Sequence, residues 1–381
     1  MRIGLIDCRS DGHHSEYAVI LATELQKAKI PVCLCAAPKV ISRARHEGTE
    51  CEALVLPEVD AAGMTRQLRA LAAYNSALEY LANWGATHVH FLYTDWHVPA
   101  IWCAVMREGL RRQQVRLTVH WASGVGCADA TSRAQWVKRK PKALAFRALL
   151  KSGARALVHH RDLVPPLEKC GVPGRVDVTP YPLFSVATPD KVAVMQHRRK
   201  LKIPEKAVLL LCFGDTRHNK GVDLAVTALS CLGEEFYLLV AGRPTEIDEA
   251  AIWALGAKHR VSTRIRVEGQ FIPDEDVALR FHAADIVLLP YRASFSGQSG
   301  PLTLGALVRR PIVAPELPVI AATVREYRLG CVYPAEDVAK MADAVREAAA
   351  RPSSAARTAE FVRDHSARAF GAEVIRSYRA P

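Results

Sequence analysis

The run Leu211-Cys212-Phe213-Gly214-Asp215-Thr216-Arg217-His218-Asn219-Lys220-Gly221 sets two cations three positions apart, between an apolar stretch and a glycine. Gly214 lets the backbone come close to a ligand. Arg217 offers a forked donor and Lys220 a compact ammonium, a pair suited to the oxygens of a diphosphate. A solvated surface pair is the plainer reading. A second run, Ala284–Pro301, ends an apolar stretch at Pro290, crosses a loop of small residues and restarts at Gln298-Ser299-Gly300-Pro301. Pro301 fits the first turn of a helix and Ser299 could cap it. Such a helix start would present free N–H groups and a positive dipole end to an anion, with a structural turn as the alternative.

Residues of this kind need a frame, and the chain supplies one by alternation. In its first half, strand-like runs at Arg2–Cys8, Val32–Cys35, Ala53–Leu56, His88–Tyr93, Leu117–Trp121, Ala156–His159 and Val176–Thr179 are separated by helical stretches, including 15–29 and 64–84. Around 180–204 the pattern breaks into a Pro- and basic-rich segment. It then resumes with runs at Ala207–Phe213, Tyr237–Ala241, Arg264–Val267, Asp285–Pro290 and Pro311–Ala314, and helices at 221–232, 274–283, 302–308 and 338–350. Strand–helix–strand alternation predicts parallel sheets covered on both faces, an α/β class. The expected division is an N-terminal domain at 1–185, a linker at 186–204, a second domain at 205–353, and a C-terminal helical segment at 354–381 that packs back on the first domain. The two halves would face a central cleft.

Phe213-Gly214, Arg217 and Lys220-Gly221, followed by Ala284-Asp285, Leu289-Pro290-Tyr291-Arg292 and Gln298-Ser299-Gly300, resemble the donor half of GT-B glycosyltransferases, family 4 (group 1) in particular. Leu239-Val240-Ala241-Gly242-Arg243-Pro244, Val267-Glu268-Gly269-Gln270-Phe271 and Arg310-Pro311-Ile312-Val313-Ala314 fit in the same order, so the detailed resemblance covers about 209–345. It implies two Rossmann-like domains. Arg217 and Lys220 would grip the diphosphate of a nucleotide-sugar donor, and Ser299 and Gly300 would offer backbone N–H groups to the distal phosphate. The turn Gly269-Gln270-Phe271-Ile272 would lie against the nucleobase. In the first half, Thr118-Val119-His120 resembles the family strand whose histidine faces the donor sugar, with a half-buried strand histidine as the alternative. Gly12 lies in the loop that approaches the donor. Asp95 and His97 are further cleft candidates. Where the family often carries two glutamates, this chain has Ser296 and Leu304, so it is closer to a subgroup with a Gln-Ser-Gly loop. Gln298 would then make a polar contact that a carboxylate otherwise makes. A position that is usually glycine-like in the family is Arg309.

The implied reaction is metal-independent transfer of a sugar to a saccharide, lipid-linked or small-molecule acceptor, with retention of configuration and no cofactor besides the donor. An inverting enzyme would need a base, for which Asp11, His13 and His14 are available. The alternatives are a catalytically silent sugar-nucleotide-binding partner of another transferase and a GT-B epimerase. With 51 basic and 39 acidic residues in 381, the chain has a formal charge of +12, which calls for an anionic partner. Between Arg133 and Arg161 lie nine basic residues and no acidic one. Leu144, Phe146, Leu149 and Leu150 share that stretch, so it could rest on an anionic membrane, a solvated helix face being the alternative. No nucleic-acid module is recognisable. Ten cysteines without a Cys-x-x-Cys pair, and no run near the ~20 apolar residues that span a bilayer, lead to a cytoplasmic expectation, peripheral on the inner membrane face if the basic stretch binds lipid.

Overall fold

The computed structural model describes residues 1–9, 14–59, 63–109, 114–127, 133–184, 188–351 and 355–380. The chain divides into two compact units, one of residues 1–182 and 364–381, the other of 183–363.

The first unit is built on a parallel sheet of β1 (Ile3–Asp7), β2 (Val32–Ala36), β3 (Glu52–Val55), β4 (His88–Phe91), β5 (Gln114–Val119), β6 (Arg155–Val158) and β7 (Val176–Val178). Their order is β3-β2-β1-β4-β5-β6-β7. Every residue of β1 and β2 is buried, which is why these strands read as continuous apolar runs rather than alternating ones. Helices α1 (His14–Lys27), α2 (Pro38–His46), α3 (Gly63–Trp84), α4 (Val98–Arg107), α5 (Arg133–Lys151) and α6 (Val164–Cys170) make the crossovers. Order reverses at β1, which has β2 on one side and β4 on the other.

The second unit repeats the plan. It opens on α7 (Lys191–Lys200) and carries β8 (Val208–Phe213), α8 (Val222–Leu229), β9 (Phe236–Ala241), α9 (Glu249–Lys258), β10 (Ile265–Glu268), α10 (Asp274–Ala283), β11 (Ile286–Leu288), α11 (Gly300–Leu307), β12 (Ile312–Pro315), α12 (Pro318–Glu326), β13 (Gly330–Tyr333) and α13 (Val338–Ala350). The strands are again all parallel, in the order β10-β9-β8-β11-β12-β13, so order reverses between β8 and β11. Both units are thus Rossmann-like sheets, each with a switch point where ligands of such sheets bind.

Two expectations meet a different structure. The stretch 186–204, expected as a linker, carries α7, whose Asp190 side chain caps Val192 N–H. Arg198 then ties this helix to Asp285 Oδ2 at 2.9 Å and to the Ala207 carbonyl at 2.7 Å. The final helical segment is two helices, α14 (Ala355–Asp364) and α15 (Ala367–Arg379), because Ser366 starts a new N-terminus by accepting Ala369 N–H. α15 locks into the first sheet. The Tyr378 hydroxyl meets His90 Nδ1 at 2.6 Å, and buried Arg116 donates to the Ser377 carbonyl from β5.

In α5, Phe146, Leu149 and Leu150 are buried in the unit's own core, whereas Leu144 is exposed. The apolar side of the basic stretch is therefore already covered by protein. Arg309, at the glycine-like position, takes φ +60°, the left-handed region that favours glycine at a helix C-terminus.

Candidate functional site

At the switch point of the second sheet, β8 leaves Phe213 and turns at Gly214, with φ +105°. Gly242, after β9, has φ +146°, and a Cβ there would stand 2.2 Å from the Gly214 carbonyl oxygen. The two loops therefore run in backbone contact. Asp215 accepts two hydrogen bonds from Arg243, at 3.0 and 3.1 Å, and Thr216 accepts Thr245 N–H at 3.0 Å. Residues 218–220 form a single 3-10 turn that ends at Gly221, φ +65°, where α8 begins.

A Cβ on Gly221 would lie 2.0 Å from the Pro290 carbonyl oxygen, so this glycine lets the β8 loop press on the β11 loop. Gly221→Ala is expected to lower the melting temperature. The left-handed backbone alone costs an alanine about 1–2 kcal/mol, and the clash with backbone adds to it. Thermal unfolding against wild type reads the difference, and an unchanged midpoint would show that the loops part freely.

The cations differ in what holds them. Arg292 is taken by Asp223, with contacts of 2.6 and 3.0 Å, and Arg243 by Asp215. Arg217 is exposed and Lys220 half-buried, and neither side chain makes a hydrogen bond or ion pair among the described residues, although the charge of Asp215 acts on Lys220. Lys220 Nζ sits directly over Gly214, 3.0 Å from where its Cβ would be, and 5.4 Å from the centroid of the Tyr291 ring. Burial, reinforced by the charge of Arg217, pushes its ammonium pKa down to about 8. A partly desolvated cation without an ion pair is costly and is satisfied by an anionic ligand.

From the other side of the switch point comes the start of α11. Ser299 caps it by accepting Leu302 N–H at 3.2 Å, and its hydroxyl meets Tyr291 Oη at 2.9 Å. Phe295 stacks on Tyr291 with centroids 4.1 Å apart, which shapes the loop. The backbone N–H groups of Ser299 and Gly300 have no partner among the described residues. Two unpaired cations and a helix N-terminus thus meet at one sheet edge, an arrangement that binds oxygen anions.

Past β10, Gly269, Gln270 and Phe271 form a projecting turn. Phe271 is 61% exposed, a large apolar ring on the same edge, with the Arg243 guanidinium 5.9 Å from its centroid. Gln298 is half-buried. Ser296 is exposed, while Leu304, 5% exposed, belongs to the core cluster of this unit and faces its interior.

The first unit brings a different set to its own C-terminal edge. His120 follows β5 and is held by Asp95, a fully buried residue after β4 whose oxygens accept the N–H groups of His120 at 3.0 Å and Trp121 at 3.1 Å. Burial, with the neighbouring His159 and His14 adding to it, holds the His120 pKa well below the usual range, so its ring is neutral. His14 Nδ1 lies 3.2 Å from Oδ2 of buried Asp7, and the His14 ring is 4.8 Å from Tyr93 and 6.2 Å from His120. Asp7 and Tyr93 carried no signal in the sequence, because only the order β2-β1-β4-β5 makes them neighbours of His120. His97 is buried and bonded to Tyr74, with Nδ1 2.6 Å from the hydroxyl. Asp95 and His97 are therefore internal supports, not open acids or bases. Gly12, Asp11 and His13 lie outside the described residues.

Residues 207–351 match the family model of glycosyl transferases group 1. No curated protein matches the chain. Solved structures resemble it over nearly its whole length. A glycosyltransferase from Rickettsia africae is 12% identical with a TM-score of 0.77, covering 99% of this chain and 97% of that one. Sucrose-phosphate synthase from Thermosynechococcus elongatus is 19% identical with a TM-score of 0.72, covering 100% and 94%. Anabaena HepE, solved in complex with UDP-glucose, is 12% identical with a TM-score of 0.70, covering 100% and 99%. At such identities the likeness is one of fold, the GT-B pair of Rossmann-like domains.

Proposed function

We propose that this chain is a glycosyltransferase that moves a sugar from a nucleotide-diphosphate sugar to a hydroxyl of a saccharide, lipid-linked or small-molecule acceptor, with retention of configuration. The observation that carries this reading is the set of unpaired donors at the β8/β11 switch point, within the segment that matches the group 1 model. As the bond from the anomeric carbon to the donor oxygen breaks, negative charge grows on the diphosphate. Arg217, Lys220 and the N–H groups of Ser299 and Gly300 are preorganised to meet that charge, and they stabilise the transition state more than the ground state. This chemistry asks for no metal ion. Phe271 offers a face to the nucleobase, and Gln298, in place of a side chain at Leu304, a polar group to the ribose. In the retaining reading the departing phosphate takes the acceptor proton. HepE, whose structure holds UDP-glucose, makes UDP sugars the first donors to try. Use of a nucleotide sugar, together with free cysteines throughout the described chain, supports a cytoplasmic location.

Leu304 favours a second reading, a silent sugar-nucleotide-binding partner, since its apolar side chain is turned into the core. A thermal-shift panel of UDP, GDP, ADP, CMP and TDP sugars, followed by product analysis, separates the two. A matched donor at about 100 times its Kd stabilises the fold by about 2.7 kcal/mol. Transfer that His120→Ala reduces with unchanged nucleotide affinity supports the transferase. Binding without transfer to any acceptor class supports the silent partner, and a sugar product epimerised without transfer would support an epimerase.

A further inference from the structure

The side of α5 that faces the core is covered, but its outer side is not purely polar, as the outer side of a surface helix ordinarily is. Val137 and Leu144 are exposed there, seven positions apart on one face of the helix. The neighbouring helices do the same. Met64 and Leu68 are exposed four positions apart on α3, and Trp102 and Met106 four positions apart on α4. None of these belongs to the faces that fill the core, which on α4 present Ile101, Ala104 and Val105. By contrast, α1, α2, α6 and α15 of the same unit expose no large apolar side chain among the described residues.

The three rows share one surface. α4 packs against both α3 and α5. Met64 of α3, Pro99 of α4, and Lys138 and Pro141 of α5 line a single open pocket of about 680 Å³. The helices follow β3, β4 and β5, so their first turns lie at the sheet edge that carries Asp95 and His120. The charge of this face is one-sided. α5 carries basic residues from Arg133 to Lys151 and no acidic one. Within α3 and α4 the one carboxylate is Glu79, about four turns from Met64, and Glu108 follows α4. Lys138, Arg147 and Lys151 are exposed and make no hydrogen bond or ion pair among the described residues.

Apolar crests between cations suit an interface whose surface is anionic and whose interior is hydrocarbon. A second copy of the chain is a poor occupant, because the face would meet its own positive charge. Nucleic acid would satisfy the cations and leave the apolar crests in contact with a polar backbone. We propose that the outer face of α3, α4 and α5 docks on an anionic phospholipid membrane, with Met64, Leu68, Trp102, Met106, Val137 and Leu144 entering the headgroup boundary and Lys138, Arg147 and Lys151 meeting lipid phosphates. This docking does not rest on the transferase reading.

The experiment floats the full chain with vesicles of phosphatidylcholine, alone or mixed with phosphatidylglycerol, at low and high salt. Binding is expected only with phosphatidylglycerol and should weaken as salt screens the charges. Lys138→Gln/Arg147→Gln/Lys151→Gln should lose about 100-fold in affinity, since each cation near an anionic surface contributes a factor of about five. Leu68→Ser/Leu144→Ser keeps the charge and should lose about tenfold. Lys206→Gln/Lys258→Gln/Lys340→Gln, in the second unit, removes the same charge and should bind as wild type does. Unchanged melting temperatures show that the variants are folded. Absence of binding to phosphatidylglycerol vesicles overturns the proposal, and so does equal loss in the two charge variants, which would mean adsorption by bulk charge. Full binding by the leucine variant also overturns it. Binding of duplex DNA without vesicles, or a dimer in light scattering that the leucine variant dissociates without lipid binding, overturns it and gives the face to that occupant.

Discussion

Arg217→Ala/Lys220→Ala is expected to weaken binding of the nucleotide-sugar donor by about 100-fold or more while the protein stays folded. Each side chain would make charge-assisted hydrogen bonds to the diphosphate, worth about 1.5–3 kcal/mol apiece, and about 1.4 kcal/mol corresponds to a factor of ten. Together they account for about two to four powers of ten. The fold should survive because neither side chain makes a hydrogen bond or ion pair among the described residues, and Lys220 loses only its contact with the Tyr291 ring at 5.4 Å. Removing Lys220 even relieves a charge that burial disfavours, so the melting temperature of the ligand-free variant should match or exceed that of wild type.

The pH dependence has a definite sign. Lys220 titrates at about 8 in the free protein, below its ordinary 10.5, and a bound diphosphate favours its charged form and raises that value. Between the two values binding takes up a proton. Affinity should therefore be flat below about pH 7 and fall as pH rises through 8, by up to about tenfold per unit. Calorimetric titrations from pH 6.5 to 9.5 check this, and Lys220→Ala should lose the slope. Unchanged affinity in the double variant would remove the donor-site assignment altogether.

This site was legible because everything it needs is local in the chain. A buried strand reads as an apolar run, Leu209-Leu210-Leu211-Cys212, and the glycines and cations follow within nine residues of its end. The parallel order of the sheet then carries the β11 loop to the same place. The first unit was less legible for the converse reason. Asp95 and His120 are 25 positions apart, and Asp7 and Tyr93 farther, so their roles depend on which strands pair. Periodicity identified α5 as amphipathic and said nothing of what covers its apolar side, which is the unit's own core at Phe146, Leu149 and Leu150. Composition misread α7 as linker, since proline and basic residues mark linkers, whereas the Asp190 cap and the contacts of Arg198 make a helix of it.

Asp95→Ala should be among the most damaging single substitutions in the first unit. The carboxylate is fully buried, and its two oxygens accept the backbone N–H groups that begin the loop after β5. Gly124 closes over it so tightly that a Cβ there would stand 2.5 Å from Oδ1. Alanine leaves both N–H groups without an acceptor, at about 1–3 kcal/mol each, against a typical domain stability of about 5–15 kcal/mol. Asparagine is the sharper probe. Its carbonyl can still accept one N–H, but its amide turns a donor toward the other, so about half of the loss should remain at nearly the same volume. Denaturant unfolding of the three proteins should rank wild type above Asp95→Asn and Asp95→Ala lowest. If Asp95 acts through His120, Asp95→Asn should also reduce transfer while nucleotide affinity stays at the wild-type value, because Arg217 and Lys220 belong to the other unit. Equal loss of stability in both variants with full transfer activity retained in Asp95→Asn would make this carboxylate a structural buttress with no part in placing the histidine.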